Sequence, residues 1–537
     1  MAPGLSSASG GTQYHHLQNN CAKWWFQDAG MRRLALAIAV GFAGTINSGY
    51  DGSLMNGLLS NPIFITAIDN PDANKLGIIS AAYALGGVPG LFPASFVADR
   101  FGRRMAICIG ALLIITGGLV QTFTTGGNAM LAGRFVVGLG SSFQGVGGGP
   151  YTAEISHPRN RAQTTALINT CQCLKPCLTA HHPLPQRRQP SSWYIGSILA
   201  AWTCYGALNI SGAWSWRICT LIQIVPCCIQ LCVLWFVEES PRWLVSKGRE
   251  EQAFRILAKY HSNGDPNDEL VKFEFEEIKE AIDAERSATA GVSWSSFFKT
   301  KGNRHRTLII VWVGNGIISY YLASILASVG VTSPSQQAGF NGGLQIWNWF
   351  AAIAGSLACE RLGRRFLWLT SACGMLLSFS IITACSAVYS HTQAQGAGRA
   401  VMAFLFVYFG FYDIAFTGLT VGYPLEILPF SLRAKGMALF NFFVSCALFF
   451  NQYVNPIALD ALAWKYYFVY IGTLCIAIVC IYFLYPETKG RMLEEVAEIF
   501  DGPQAALPVV QEQQALEHNG GKNGADHKEQ AVTIEYA

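Results

Sequence analysis

Charge is scarce in this chain. Only 13% of its 537 residues are Asp, Glu, Lys or Arg, while 51% are hydrophobic, and the mean hydropathy is positive, +0.29. Soluble domains carry about a quarter charged residues, so a soluble enzyme is excluded and a polytopic membrane protein is indicated. A cleavable signal peptide is missing as well: residues 1–30 are polar, with Trp24 and Trp25 close to the membrane border. The 16 cysteines are mostly scattered singly in apolar runs, where they serve as small packing residues, and they form no disulfide framework. No catalytic constellation is present, which argues against an enzyme. The net charge of +4 does not point to nucleic acid, because the basic residues sit between apolar runs. "GVGGGP" (145–150) lacks both the following Lys-Ser/Thr and the preceding strand of a phosphate loop.

Long apolar runs are abundant. A helix of about 20 apolar residues spans a bilayer. Roughly twelve such runs occur, near 33–55, 76–97, 105–123, 130–149, 163–171 joined with 193–208, 218–237, 307–329, 337–358, 366–388, 399–422, 434–455 and 466–485. The expected fold is an all-α membrane protein with twelve transmembrane helices in two six-helix halves. The basic clusters "DRFGRR" (99–104), "HPRNR" (157–161), 241–306, "ERLGRR" (360–365) and "RAK" (433–435) all fall on the side of the N-terminus. The positive-inside rule makes that side cytoplasmic.

The organisation follows. Residues 1–31 form an N-terminal tail, 32–240 one half, 241–305 a cytoplasmic helical linker, 306–490 the second half, and 491–537 a mostly disordered tail. The halves repeat one another: "DRFGRR" answers "ERLGRR", "YTAEISHPRNR" answers "YPLEILPFSLR", and "EESPRW" answers "YPETKGR". Such parallel repeats mark a transporter architecture with its substrate site between the halves.

These motifs, with "GYDGSLMNGL" (49–58), "GRFVVGLG" (133–140), "PYTAEI" (150–155), "ESPRWLVSKGR" (239–249), "GNGIISYYL" (314–322) and "YDIAFTGL…YPLEILPFSLRAKG" (412–436), occur in order over about 30–500. The chain thereby resembles a sugar porter of the major facilitator superfamily, in the fungal lactose-permease-like and cellodextrin-type branch. The resemblance implies alternating-access transport of a small-molecule sugar, with a proton as coupling ion and no cofactor or metal. A disaccharide or related sugar is the expected substrate. The protein is expected to act as a monomer in the plasma membrane, with both termini cytoplasmic. Facilitated diffusion, a non-transporting sugar sensor and an inactive product are the alternatives.

One stretch does not fit. Glu154 to Glu239 is 85 positions but Glu426 to Glu487 only 61, and removing the 21 residues Gln172–Ser192 brings the first to 64. That stretch would place four prolines and several cations inside the fifth span. Each interior proline costs about 3 kcal/mol, and each midplane cation about 2.5–3.5 kcal/mol on insertion scales. Residues 172–192 read as a retained intron or gene-model error. A genuine looped insertion and a metal site are the alternatives, although the Cys/His spacing matches no zinc pattern.

Ionisable residues inside spans are functional by default. Asp51 and Arg134 are such residues, and the resemblance makes them the proton-coupling pair. On the substrate side the resemblance implies Asn169, Asn315, Tyr320, Tyr321 and Asn348. Gln345, nearly one turn before Asn348, and Asn441 in the eleventh span join them, giving amides and aromatics suited to a ring of hydroxyls. Asp413 stands at an acidic position of the family, as a gating or sugar-side residue. Two positions depart from the pattern: Val311 replaces a seventh-span glutamine and Val421 a tenth-span tryptophan that stacks on hexose, which argues against a simple hexose. On the cytoplasmic face Asp99, Arg103, Glu154, Arg161 and Glu239 resemble one side of a closed gate. Glu360, Arg364, Glu426, Arg433 and Glu487 resemble the other.

Overall fold

The computed structural model describes residues 19–20, 27–160, 192–289, 293–313, 322–489 and 493–501. Among these the regular structure is helical throughout. The first half contains α1 (Ala29–Leu58), α2 (Ala73–Phe101), α3 (Arg103–Phe123), α4 (Gly127–Ile155), α5 (Ser192–Ala207) and α6, in two pieces, Trp214–Ile222 and Val225–Leu234. The second contains α7, described as Lys301–Val313 and Leu322–Ser328, then α8 (Pro334–Leu362), α9 (Arg364–Thr392), α10 (Gln395–Ile427), α11 (Phe430–Leu462) and α12 (Tyr467–Leu484). Seven candidate membrane spans among the described residues have the length and apolarity to cross a bilayer.

Small residues set the helix spacing. A Cβ on Gly49 of α1 would lie 2.0 Å from the Trp193 carbonyl oxygen, and one on Gly196 of α5 would lie 1.9 Å from that of Ile46. Helices α1 and α5 therefore touch backbone to backbone, as membrane helices do where small residues face each other. Between the halves, α2 packs on α11 and α5 on α8.

The linker forms helices Pro241–Ser246, Glu250–His261 and Glu269–Thr289. Their Leu244, Leu257, Tyr260 and Val271 share one buried cluster with Leu34, Tyr151 and Ile155 of the first half. The N-terminal segment is tied to the same helices, since Asn19 and Asn20 donate to the Asp268 carboxylate. A helix at Leu493–Asp501 buries Val496 and Phe500 in the core of the second half. The 2.8 Å Arg306–Asp501 ion pair anchors this first part of the C-terminal tail. Residues 172–191 of the anomalous stretch lie outside the described residues.

Candidate functional site

Among the described residues, the membrane interior of the first half buries an acid and a base. Asp51 of α1 and Arg134 of α4 are 1% and 4% exposed. Asn47, one turn earlier, donates to Asp51 Oδ2 at 3.0 Å. Gln223, where the two pieces of α6 meet, and Arg134 are the other polar side chains that act on the carboxylate. Leaving either charge alone at this depth would cost about 3–5 kcal/mol.

A second polar group lies where the halves meet. The Tyr194 hydroxyl of α5 donates to Asp413 Oδ1 of α10 at 2.5 Å. Thr417, one turn along α10, donates to the same oxygen at 2.5 Å. With its amide nitrogen facing its acceptors, Asn348 of α8 donates to Asp413 Oδ2 at 3.3 Å and to the Leu344 carbonyl at 3.1 Å. One turn beyond Tyr194, Ser197 donates to Gln345 Oε1 at 2.7 Å. A hydroxyl has a single proton, so Ser53 of α1, 2.5 Å from Ser197, must be the donor in that contact. Gln345 in turn donates to Asn341 at 3.3 Å. The direction is fixed, from Ser53 through Ser197 and Gln345 to Asn341. All four are buried.

Asn348 and Asp413 are thus bonded to each other, and Gln345 lies nearly one turn before Asn348 on α8. Asn441 of α11 is exposed and stands outside these hydrogen bonds. Arg161, Asn169, Asn315, Tyr320 and Tyr321 lie outside the described residues, as does the side chain of Glu360. Ser53, Tyr194, Ser197 and Asn341 were not anticipated. The available signal was the spacing of Tyr194 and Ser197, three apart and so on one helical face.

On the linker side, Arg103 begins α3 and bonds Asp99 at 3.3 Å and Glu154 at 3.4 Å. Glu239 accepts the N–H groups of Arg103 and Arg104 at 3.1 and 3.2 Å. Burial pushes the Glu239 carboxyl up from its ordinary range, against the pull of hydrogen bonds from the Ser240 and Arg104 backbone. The second half repeats the set. Arg364 bonds Glu426 at 3.0 Å, and Glu487 accepts the N–H groups of Arg364 and Arg365, both at 2.9 Å. Arg433 lies at the start of α11. These bonds run within each half, whereas the sequence suggested a gate joined from one half to the other. The reason is local: two helix N-termini need acceptors for their first N–H groups, and Glu239 and Glu487 supply them.

A family model described as "Sugar (and other) transporter" matches residues 36–174 and 189–500. The MFS-type transporter criB of Aspergillus cristatus is 27% identical over 506 residues, covering 92% of this chain and 99% of that protein. A high-affinity glucose transporter of Kluyveromyces lactis is 28% identical over 499 residues, covering 86% and 84%. The sugar transporter STL1 of Saccharomyces cerevisiae is 28% identical over 479 residues, covering 84% and 78%. The xylose transporter XylE from E. coli, in a partially occluded inward open conformation, shares the fold at a TM-score of 0.65 and 19% identity, covering 86% of this chain and 100% of that one. With twelve helices in two repeated halves and a family match across both, the chain is a multi-pass membrane protein that belongs to the sugar transporter family of the major facilitator superfamily.

Proposed function

We propose that this chain carries a disaccharide or related sugar across the plasma membrane together with a proton, by alternating access between its two halves. The observation that carries the reading is the buried polar group at their junction. Gln345, Asn348 and Asp413 offer amide and carboxylate groups to hydroxyls arriving from the other half. A sugar is a ring of such hydroxyls, and this donor–acceptor set suits it. Asp51 is the proton carrier and Arg134 its counter-charge. Paired with Arg134 the carboxylate stays ionised; when the helices part, desolvation favours taking up a proton, which biases one facing of the carrier. The linker-side arginines and glutamates act as the gate on the cytoplasmic face. No cofactor or metal enters this scheme, and a monomer suffices.

Residues 172–192 are read as absent from the working transporter. Supporting this, the family match skips 175–188 and resumes at 189. Transcripts across the stretch should mostly join Cys171 to Trp193; peptides from within it in an active protein would overturn the reading.

The function itself is tested by uptake of labelled mono- and disaccharides into a transport-deficient host. A disaccharide should accumulate against its gradient, less so as external pH rises, and a protonophore should abolish the gradient. Entry that only equilibrates and ignores pH would mean a facilitator. No uptake of any sugar at normal surface abundance would remove the assignment.

A further inference from the structure

The hydrogen bonds that join the halves at their centre come from one face of α5. Tyr194 and Ser197 are 4% and 0% exposed, and both point hydroxyls at acceptors of the other half. Asp413 receives three donors. Thr417 and Asn348 belong to its own half, and Tyr194 does not. The carboxylate would thus keep two donors if Tyr194 withdrew, and a departing hydroxyl leaves no bare buried charge. The relay from Ser53 ends at Asn341, whose side-chain nitrogen is buried and has no hydrogen-bond partner among the described residues. The junction therefore contains an acceptor filled by a protein hydroxyl and, close along α8, a donor left unfilled.

We propose that Tyr194 is a latch: in the sugar-free carrier its hydroxyl fills Asp413 from across the junction and holds the halves together, and a sugar hydroxyl takes its place. This rests on the reading of Gln345, Asn348 and Asp413 as sugar-facing. Replacing one hydroxyl by another on the same acceptor exchanges like for like, so the swap is close to neutral in free energy. The latch therefore stabilises the empty carrier without opposing sugar. Ser197 on Gln345 acts in the same way one turn further on. In transport terms Tyr194 is a positioning residue of the empty return step, in which the halves must meet with nothing between them. A loaded carrier supplies its own hydroxyls and does not need it.

The test uses the working form, the whole chain without 172–192, purified in detergent without sugar. Amide hydrogen exchange is followed in the part of α10 around Asp413. Tyr194→Phe should raise exchange there several-fold, and a saturating disaccharide should bring parent and variant together. In cells the same variant should slow net uptake about tenfold, the factor expected for one lost hydrogen bond to a charged group. Sugar-for-sugar exchange should stay within about twofold, because the empty return is bypassed. The Asp413→Asn variant reads the bond from the other side, and the double variant should exchange no faster than the more affected single one. Unchanged exchange at α10 in the sugar-free variant would overturn the latch, as would equal losses of uptake and sugar exchange. A rise at α10 in the variant of a parent that binds no sugar would leave the latch standing and remove the sugar reading instead.

Discussion

Arg103 in the first half and Arg364 in the second each bond a glutamate one helix away, Glu154 and Glu426. Each begins a helix whose leading N–H groups are held by another glutamate, Glu239 and Glu487. Even the accessory bonds repeat: Ser240 donates to Glu154 and Thr488 to Glu426, both at 2.5 Å. Carried inward, the correspondence stops. Asp99 and Glu360 stand 261 positions apart, and that offset takes Gln345 to Ala84 and Asn348 to Gly87. Glu154 and Glu426 stand 272 apart, which takes Asp413 to Ser141 and Arg134 to Phe406. The halves share a frame and divide the interior. The first buries Asp51 and Arg134; the second holds the amides and the acid at the junction. Helix joints demand the same geometry in both halves, whereas interior positions are free to specialise.

The division predicts that removing charge from the first half destroys coupling but not recognition. Asp51→Asn, made in the chain lacking 172–192, should abolish uphill accumulation while sparing sugar binding and exchange, because an amide fills the same space and carries no proton. Uptake by the parent should fall as pH rises and collapse with a protonophore, and the variant should be indifferent to both. A parent that ignores both while equilibrating sugar would make the pair a scaffold element and end the proposed asymmetry.

The shared frame predicts the reverse, namely matching losses from matching changes. Arg103→Ala and Arg364→Ala should each reach the cell surface and each reduce transport by about tenfold or more, the range of a coupling free energy of 1–3 kcal/mol. Normal uptake by both at equal surface abundance would reduce these arginines to topology signals. A loss confined to one half would break the equivalence seen in the geometry.

The sequence made this frame legible and hid much of the junction, for a physical reason. A repeated acid or arginine in an apolar chain is rare enough to align by eye, and the helices follow from apolar run length alone. Hydroxyls are different. In α1, Thr45 and Ser48 donate to the carbonyls of Gly41 and Gly44 in their own helix, while Ser53 bonds Ser197 of α5. Nothing in the local sequence separates the two uses, since back-bonding to the preceding turn is open to any membrane Ser or Thr. Tyr194 was hidden for another reason: it follows directly on the anomalous stretch, where the fifth span could be read only after the interruption was removed. Asn348 and Asp413 emerged through the resemblance rather than from composition.

A smaller effect tests the joints. Gly102 and Gly363 sit between α2 and α3 and between α8 and α9 with φ of 101° and 94°, a region open essentially to glycine. A Cβ would lie 2.3 Å from Glu239 Oε2 at the first and 2.8 Å from Glu487 Oε2 at the second. Each glycine-to-alanine change should cost about 1–3 kcal/mol, read as a lower unfolding midpoint in detergent, with Gly102→Ala the worse. Equal midpoints to the parent would show that the carboxylates are free to move aside.

The smallest effect bears on which sugar the second half reads. Val421 lies eight residues, about 12 Å of helix, beyond Asp413 on α10, and Thr417 lies midway, so all three share one helical face. Val421 is 40% exposed. The 272 offset carries it to Gly149, where a Cβ would meet nothing within 4 Å. Both halves thus leave this position open, and the resemblance places a hexose-stacking tryptophan at one of them. Val421→Trp should restore an aromatic wall worth about 0.5–1.5 kcal/mol, which corresponds to a change of about two- to tenfold in apparent affinity. The expected sign is opposite for the two sugar classes: competition by a free hexose strengthens, and disaccharide uptake weakens as the added ring takes up space along that face. Gly149→Trp serves as the comparison and should obstruct both classes without favouring either. If Val421→Trp left the ratio of hexose to disaccharide uptake unchanged at equal surface abundance, the open face of α10 would have no part in choosing the sugar, and the choice would fall to the amides of α8.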